Sequence, residues 1–315
     1  MLSRVAETVY WMSRYVERAE NTARCVDVNL HLQLDMPGSA EGSWEPLLFT
    51  MGEKENFSKK YGRATREAVL RYLTFDEENP NGIFSCIAQA RENARCVREI
   101  CSSEMWTVLN RFFLALKSPD AQKKMLENPH DFFVAVKETS QLFTGVAWGT
   151  MSHGEAWRFL RLGRMLERAD QTSRILDVKY YLLLPTPSMV GMALDSVQWT
   201  ALLKSVSAFE MFRKKYSLVT PRNVSEFLVF DPEFPRSIRF CVNEVEMSLQ
   251  RIAKETGKSE KSPALRLSGK LRADLEFSTI EEFFKIGLHE KLDRIQQALA
   301  NLNGEVYREF FKNGI

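Results

Sequence analysis

Two stretches of this chain nearly repeat each other: RYVERAENTARCVDV at 14–28 and RMLERADQTSRILDV at 164–178. Eight of the fifteen paired positions are identical: Arg14/Arg164, Glu17/Glu167, Arg18/Arg168, Ala19/Ala169, Thr22/Thr172, Arg24/Arg174, Asp27/Asp177 and Val28/Val178. Glu20/Asp170, Asn21/Gln171 and Ala23/Ser173 differ only conservatively. Further matches follow in the same order, now 155 positions apart. Trp44 with Leu47-Leu48 pairs with Trp199 and Leu202-Leu203, and Phe75 through Pro80 to Cys86 pairs with Phe230 through Pro235 to Cys241. This order argues for a tandem duplication of a unit near 150 residues, a period too long for a solenoid. The expected organisation is a first half over 1–150 and a second over 151–315, packed as one continuous helical body with pseudo-twofold symmetry.

Around the first copy, apolar or small residues fall at Leu2, Val5, Val9, Met12, Val16, Ala19, Ala23, Val26 and Leu30. Alternating steps of three and four mark a long amphipathic helix. Ser3 is a candidate N-cap and Pro37-Gly38 a stop. In the second copy, Ser152 to Glu155 has the spacing of a capping box before a helix reaching Leu184. Further helical patterning runs over about 83–115, 130–146, 195–214, 236–256 and 281–302. The two Phe-Asp-x-Glu-x-Pro blocks read as turns leading into helices, with their acids placed for the helix N-terminus. Strand alternation bounded by hairpin signals is absent. The fold class expected is all-α, a helical bundle. Trp11, Met12, Trp106, Trp148 and Trp157 are expected in the core.

The 315 residues can bury a substantial core, and 44% hydrophobic with 27% charged residues is ordinary globular composition. The 43 basic and 41 acidic residues are interleaved, which argues against nucleic-acid binding. No apolar run approaches the roughly 18 residues of a membrane span, and early charges interrupt any signal-peptide pattern. Five cysteines without CxxC or zinc spacing, including the matched Cys86 and Cys241, suggest buried thiols and a cytoplasmic setting. No metal, cofactor or catalytic motif is recognisable, and no histidine stands in a Glu-x-x-His pattern; His153 and His289 read as surface or capping residues.

On a heptad with Leu2, Val9 and Val16 at one position, Arg14, Glu17, Asn21 and Arg24 form a polar stripe opposite the apolar seam. Arg164, Glu167, Gln171 and Arg174 repeat it. Glu20–Arg24 and Asp170–Arg174 are i,i+4 pairs. Such stripes suit a solvated face, a salt-bridged junction between the halves, a ligand or partner surface, or a catalytic centre with a glutamate base. The candidate site is therefore Arg14, Glu17, Arg18, Glu20, Asn21 and Arg24 with Arg164, Glu167, Arg168, Asp170, Gln171 and Arg174. As a binding surface, its arginines would hold a carboxylate or phosphate by bidentate pairing, and its acids would orient them or bind an amine.

Four segments together resemble the bacterial alpha-E domain family, a domain of unknown function with a Glu-Arg motif: 1–24 (MLSRVAETVYWMSRYVERAENTAR), 79–106 (NPNGIFSCIAQARENARCVREICSSEMW), 154–181 (GEAWRFLRLGRMLERADQTSRILDVKYY) and 230–242 (FDPEFPRSIRFCV). The motif falls on Glu17-Arg18 and Glu167-Arg168. The resemblance implies association with circularly permuted ATP-grasp proteins, and with transglutaminase-like peptidases in the same gene groups. ATP-grasp enzymes join carboxylates to amines, so the expected role is an accessory or ligand-positioning partner of an amide or peptide ligase. The alternatives are an enzyme acting on an amide and a structural scaffold.

Overall fold

The computed structural model describes residues 1–35, 44–182, 193–257 and 262–312. The first half runs α1 (Ser3–Asp35), α2 (Glu45–Thr50), α3 (Lys54–Tyr61), α4 (Arg66–Thr74), α5 (Ile83–Cys96), α6 (Ser103–Lys117), α7 (Ala121–Glu127) and α8 (Pro129–Thr150). The second runs α9 (Glu155–Leu182), α10 (Ala193–Ser205), α11 (Phe209–Lys215), α12 (Pro221–Phe230), α13 (Ile238–Glu255), α14 (Pro263–Phe277), α15 (Ile280–Ile286) and α16 (Leu288–Val306), closed by a π-helical turn at Tyr307–Lys312. No strand occurs among the described residues. The fold is all-α.

Two long helices organise the molecule. α1 packs on α5 and α8, with α6 behind α5, and α9 packs on α13 and α16, with α14 behind α13. α1 and α9 also pack on each other, running in the same direction: Met1 meets Glu155, Tyr10 meets Gly163, and Arg18 meets Glu167. They cross tightly at Gly163, where a Cβ would overlap the Tyr10 carbonyl oxygen and lie 2.7 Å from Ser13 Oγ. Glycine is required there by proximity rather than by backbone torsion.

The apolar spacing of α1 is buried as its period dictates: Val9, Met12, Ala19, Ala23 and Val26 have no exposed surface, although Leu2 lies largely in solvent. These residues feed two clusters, one around Met12, Leu109, Phe143 and Trp157, the other spreading from Ala6 to Phe311. Both draw on either side of residue 150. The same contacts are made twice. Lys60 and Asp76 pair at 2.8 Å, and Lys215 and Asp231 at 2.9 Å. Phe57 stacks on Tyr61 and Phe212 on Tyr216, each with centroids 5.1 Å apart. The Cys86 and Cys241 thiols point to the carbonyls of Pro80 and Pro235.

Several expectations are corrected. The patterned stretch 83–115 breaks between α5 and α6, where the Ser102 side chain accepts from Met105 N–H and starts a new helix. The stretch 195–214 breaks beside Ser207, in the left-handed region at φ +50°, and 281–302 is interrupted at Gly287, φ +118°. No capping box forms at Ser152, because the Glu155 carboxylate takes the Met1 amino group instead. The acids of the Phe-Asp blocks serve the turns rather than the helix ends: Asp76 accepts from Glu78 N–H, and Asp231 from Glu233 and Phe234 N–H. Trp157 is core, Trp11 and Trp106 are half-buried, and Trp148 is 58% exposed. His289 is a partner of Asp177 at 2.7 Å rather than a surface residue. His153 reaches the Trp148 carbonyl near the end of α8, a capping contact. Pro37-Gly38, the 36–43 loop, Leu184-Pro185 and most of the 257–262 loop lie outside the described residues.

Candidate functional site

Adjacent residues on a helix do not face each other, so a Glu-Arg dipeptide cannot close its own ion pair. Placed on two parallel helices in contact, two such dipeptides can exchange partners, and they do. Arg18 Nε and Nη2 donate to the Glu167 carboxylate at 2.7 and 3.0 Å, while Arg168 Nε and Nη2 donate to Glu17 at 2.8 and 2.7 Å. Both pairs are bidentate, the geometry in which arginine binds carboxylate most strongly. Both glutamates are 1% exposed. The stripes expected to lie opposite the apolar seam are thus not solvated faces; they meet each other.

Burial pushes both carboxyls up, but the facing guanidiniums outweigh it. Arg14 and Arg18 hold Glu167 at about 2, and Arg168 and Arg236 hold Glu17 well below the usual carboxylate range. A carboxylate held so low is a weak base, which disfavours either glutamate as a general base near neutral pH.

The surroundings of the two pairs differ. On the Glu17 side, Arg236 from the turn before α13 enters the junction: Nη1 donates to Glu17 and to Asn21, each at 2.9 Å, and Nη2 to Glu20 at 2.7 Å. Arg24 adds two bonds to Glu20 and reaches Ser207 Oγ. This side is closed. Arg164, the counterpart of Arg14, is displaced from its glutamate; its Nε is buried without a partner, and burial with the nearby Arg168 charge lowers its pKa to about 10.

On the Glu167 side, Arg14 donates to the carboxylate at 2.9 Å, pinned from behind by Asn303 and Tyr10. The residue corresponding to Arg236 is Asn81, too short to fill the space. Asn81 instead accepts from Arg18 and donates to Glu53, both at 2.6–2.7 Å. What remains is a polar cavity of about 260 Å³, lined by Arg18, Thr22, Gly52, Glu53, Asn81, Glu167, Asp170, Gln171 and Arg174. Arg174 pairs with Asp170 at 2.8 Å on its rim. Of the residues singled out from sequence, Arg18, Glu167, Asp170, Gln171 and Arg174 line this cavity, and Arg14 stands behind it. Glu17, Glu20, Asn21, Arg24 and Arg168 belong to the closed side.

Glu53, Asn81 and Arg236 were missed. The signal was present: Asn81 and Arg236 each follow the matched prolines, so they are a mismatch inside a matched block. A separate cluster also went unseen. Asp27, His31 and His130 bring ligand atoms within 4.8 Å of one another, the one grouping of metal-binding type among the described residues. Lys137 Nζ already occupies the Asp27 carboxylate at 2.6 Å, and Asp177 with His289 repeats part of the arrangement.

These features define an all-helical protein whose halves are joined by buried, exchanged Glu–Arg pairs. The chain belongs to the Alpha-E family, described as a predicted alpha-helical domain with a conserved ER motif, which it matches over residues 1–311. It is also similar to uncharacterized proteins of Mycobacterium bovis and Mycobacterium tuberculosis, at 24% identity over 326 residues. The match covers 96% of this chain and 35% of each relative, so the chain spans about a third of their length. No solved structure matches it. No helix among the described residues is long and apolar enough to cross a membrane.

Proposed function

We propose that this protein is a non-catalytic, ligand-positioning partner of an ATP-grasp amide or peptide ligase, acting through the open side of its Glu–Arg junction. The ligase partner comes from the family resemblance. The observation that carries the positioning role is the asymmetry of the junction. A salt bridge serving only as a joint has no use for a cavity, and the Glu17 side demonstrates that the joint can be filled completely. The Glu167 side instead keeps a polar cavity with carboxylates and guanidiniums on its walls. Few convergent polar groups in a concave site are what small-ligand recognition requires. The two halves, 1–150 and 151–315, are read as descendants of one duplicated unit, and only the Glu167 side of their junction retains an open site. A transglutaminase-like peptidase would act in the same pathway. A cytoplasmic setting is proposed from the five unpaired cysteines.

The test is ATP turnover by the ATP-grasp partner, supplied with amino acids and small peptides, with and without this chain. Stimulation by wild type that disappears in the cavity-filling variant Asn81→Arg supports the reading. Absence of both stimulation and physical association refutes it.

A further inference from the structure

The closed side records what the open side is built to accept. In it the Arg236 guanidinium is held by one carboxylate from each of Glu17 and Glu20 and by the Asn21 side-chain oxygen. The corresponding groups of the open side are Glu167, Asp170 and Gln171. We propose that this cavity is a receptor for a guanidinium group carried by a ligand, seated where Arg236 sits in the other half. The inference rests on the positioning reading above and names its ligand chemistry.

Three observations support it, the third drawn partly from the second. Gln171 is 8% exposed, lines the cavity, and its Oε1 is buried without a hydrogen-bond partner, whereas the equivalent Asn21 oxygen is bonded to Arg236. A buried acceptor left unbonded is unfavourable by about 1–3 kcal/mol, and a bound donor removes that cost. Second, Glu53 is 3% exposed and accepts from Tyr72 and Asn81, yet no cation lies in ion-pair contact with it among the described residues. A buried carboxylate without a compensating charge is unfavourable. The equivalent position on the closed side is Ala208, which needs no such partner. Third, the closed side sets Arg24, Arg168 and Arg236 against two carboxylates, Glu17 and Glu20. The open side sets Arg14, Arg18 and Arg174 against three, Glu53, Glu167 and Asp170. With the same number of arginines and one more carboxylate, the open side lacks the excess positive charge of its counterpart.

The probe is agmatine, a guanidinium on an alkyl chain without a carboxylate, titrated calorimetrically into the full chain. Citrulline, used as its carboxamide so that it too lacks a carboxylate and carrying a neutral urea in place of guanidinium, is the control. Agmatine should bind saturably, citrulline at least about tenfold more weakly, a factor equal to about 1.4 kcal/mol. Asn81→Arg, which supplies the missing guanidinium from the protein itself, should abolish binding. Glu53→Gln should weaken it by about tenfold or more, and serves as the second variant if Asn81→Arg does not fold. Equal binding of citrulline, or agmatine binding untouched by the folded variants, overturns the inference. So does absence of agmatine binding. In each of those cases, loss of ligase stimulation in Asn81→Arg would leave the positioning role standing with a different ligand, and retained stimulation would remove both.

Discussion

Replacing Glu167 by glutamine keeps the shape of the side chain and deletes its charge. The native carboxylate accepts four donors, Arg18 Nε and Gln171 Nε2 on one oxygen and Arg14 Nε and Arg18 Nη2 on the other, and is 1% exposed. Glutamine retains one acceptor oxygen and turns its own NH2 group toward guanidinium N–H groups. Whichever way the amide is turned, two of these four contacts become donor against donor. Hydrogen bonds to charged groups contribute about 1.5–3 kcal/mol each, so about 3–5 kcal/mol should be lost. The same range is typical when one partner of a buried ion pair is removed. That is a large share of the roughly 5–15 kcal/mol stability of ordinary domains. Urea unfolding followed by far-UV circular dichroism measures it. The contrasting variant is Arg222→Ala, which breaks the exposed Arg222–Glu281 pair and should leave the unfolding midpoint almost unchanged. If Glu167→Gln also loses less than about 1 kcal/mol, the junction is solvent-screened and the argument from buried exchange fails.

The depressed carboxyls set an acid limit. Glu167 falls from 4.5 to about 2 on folding, so its contribution is complete above pH 4.5 and is lost as the pH drops toward 2; Glu17 extends that loss further down. Stability measured against pH should decline over this window, with a shallower decline in Glu167→Gln; an equal slope in both would contradict the assignment. Gly163→Ala should destabilise by about 1–3 kcal/mol, because its methyl group collides with the α1 backbone at the crossing, and thermal unfolding no lower than wild type would show that the helices can separate there without cost. Burial raises the thiols of Cys25, Cys86, Cys101 and Cys241 to about 12, while Cys96 is exposed. One thiol should therefore react with a maleimide in the native protein and five in denaturant, counted by mass spectrometry.

Much of the architecture is local and was readable. The three–four spacing of α1 requires a helix with one apolar face whatever surrounds it, and Thr220-Pro221 and Ser262-Pro263 carry capping signals for helices that the periodicity alone did not pick out. The breaks at Ser207 and Gly287 were harder, since a hydrophobic pattern continues through a residue that changes only the backbone direction.

The paired Glu-Arg dipeptides were equally plain in the sequence, because charged identity at matched positions survives in the text of the chain. Their meaning was not. A stripe opposite an apolar seam looks solvated when one helix is considered alone, and only the packing of α1 against α9 decides that two such stripes neutralise each other in the interior. Nor does helical periodicity relate Asn81 to Arg18 and Glu53, or Arg236 to Glu17 and Glu20, across gaps of 28 to 219 residues. The sequence by itself determined most of the helices and the matched Glu-Arg dipeptides they carry. Tertiary structure decided that one side of the junction is filled by an arginine and the other left open, because the difference between a closed joint and a cavity is the reach of a single side chain arriving from elsewhere in the fold.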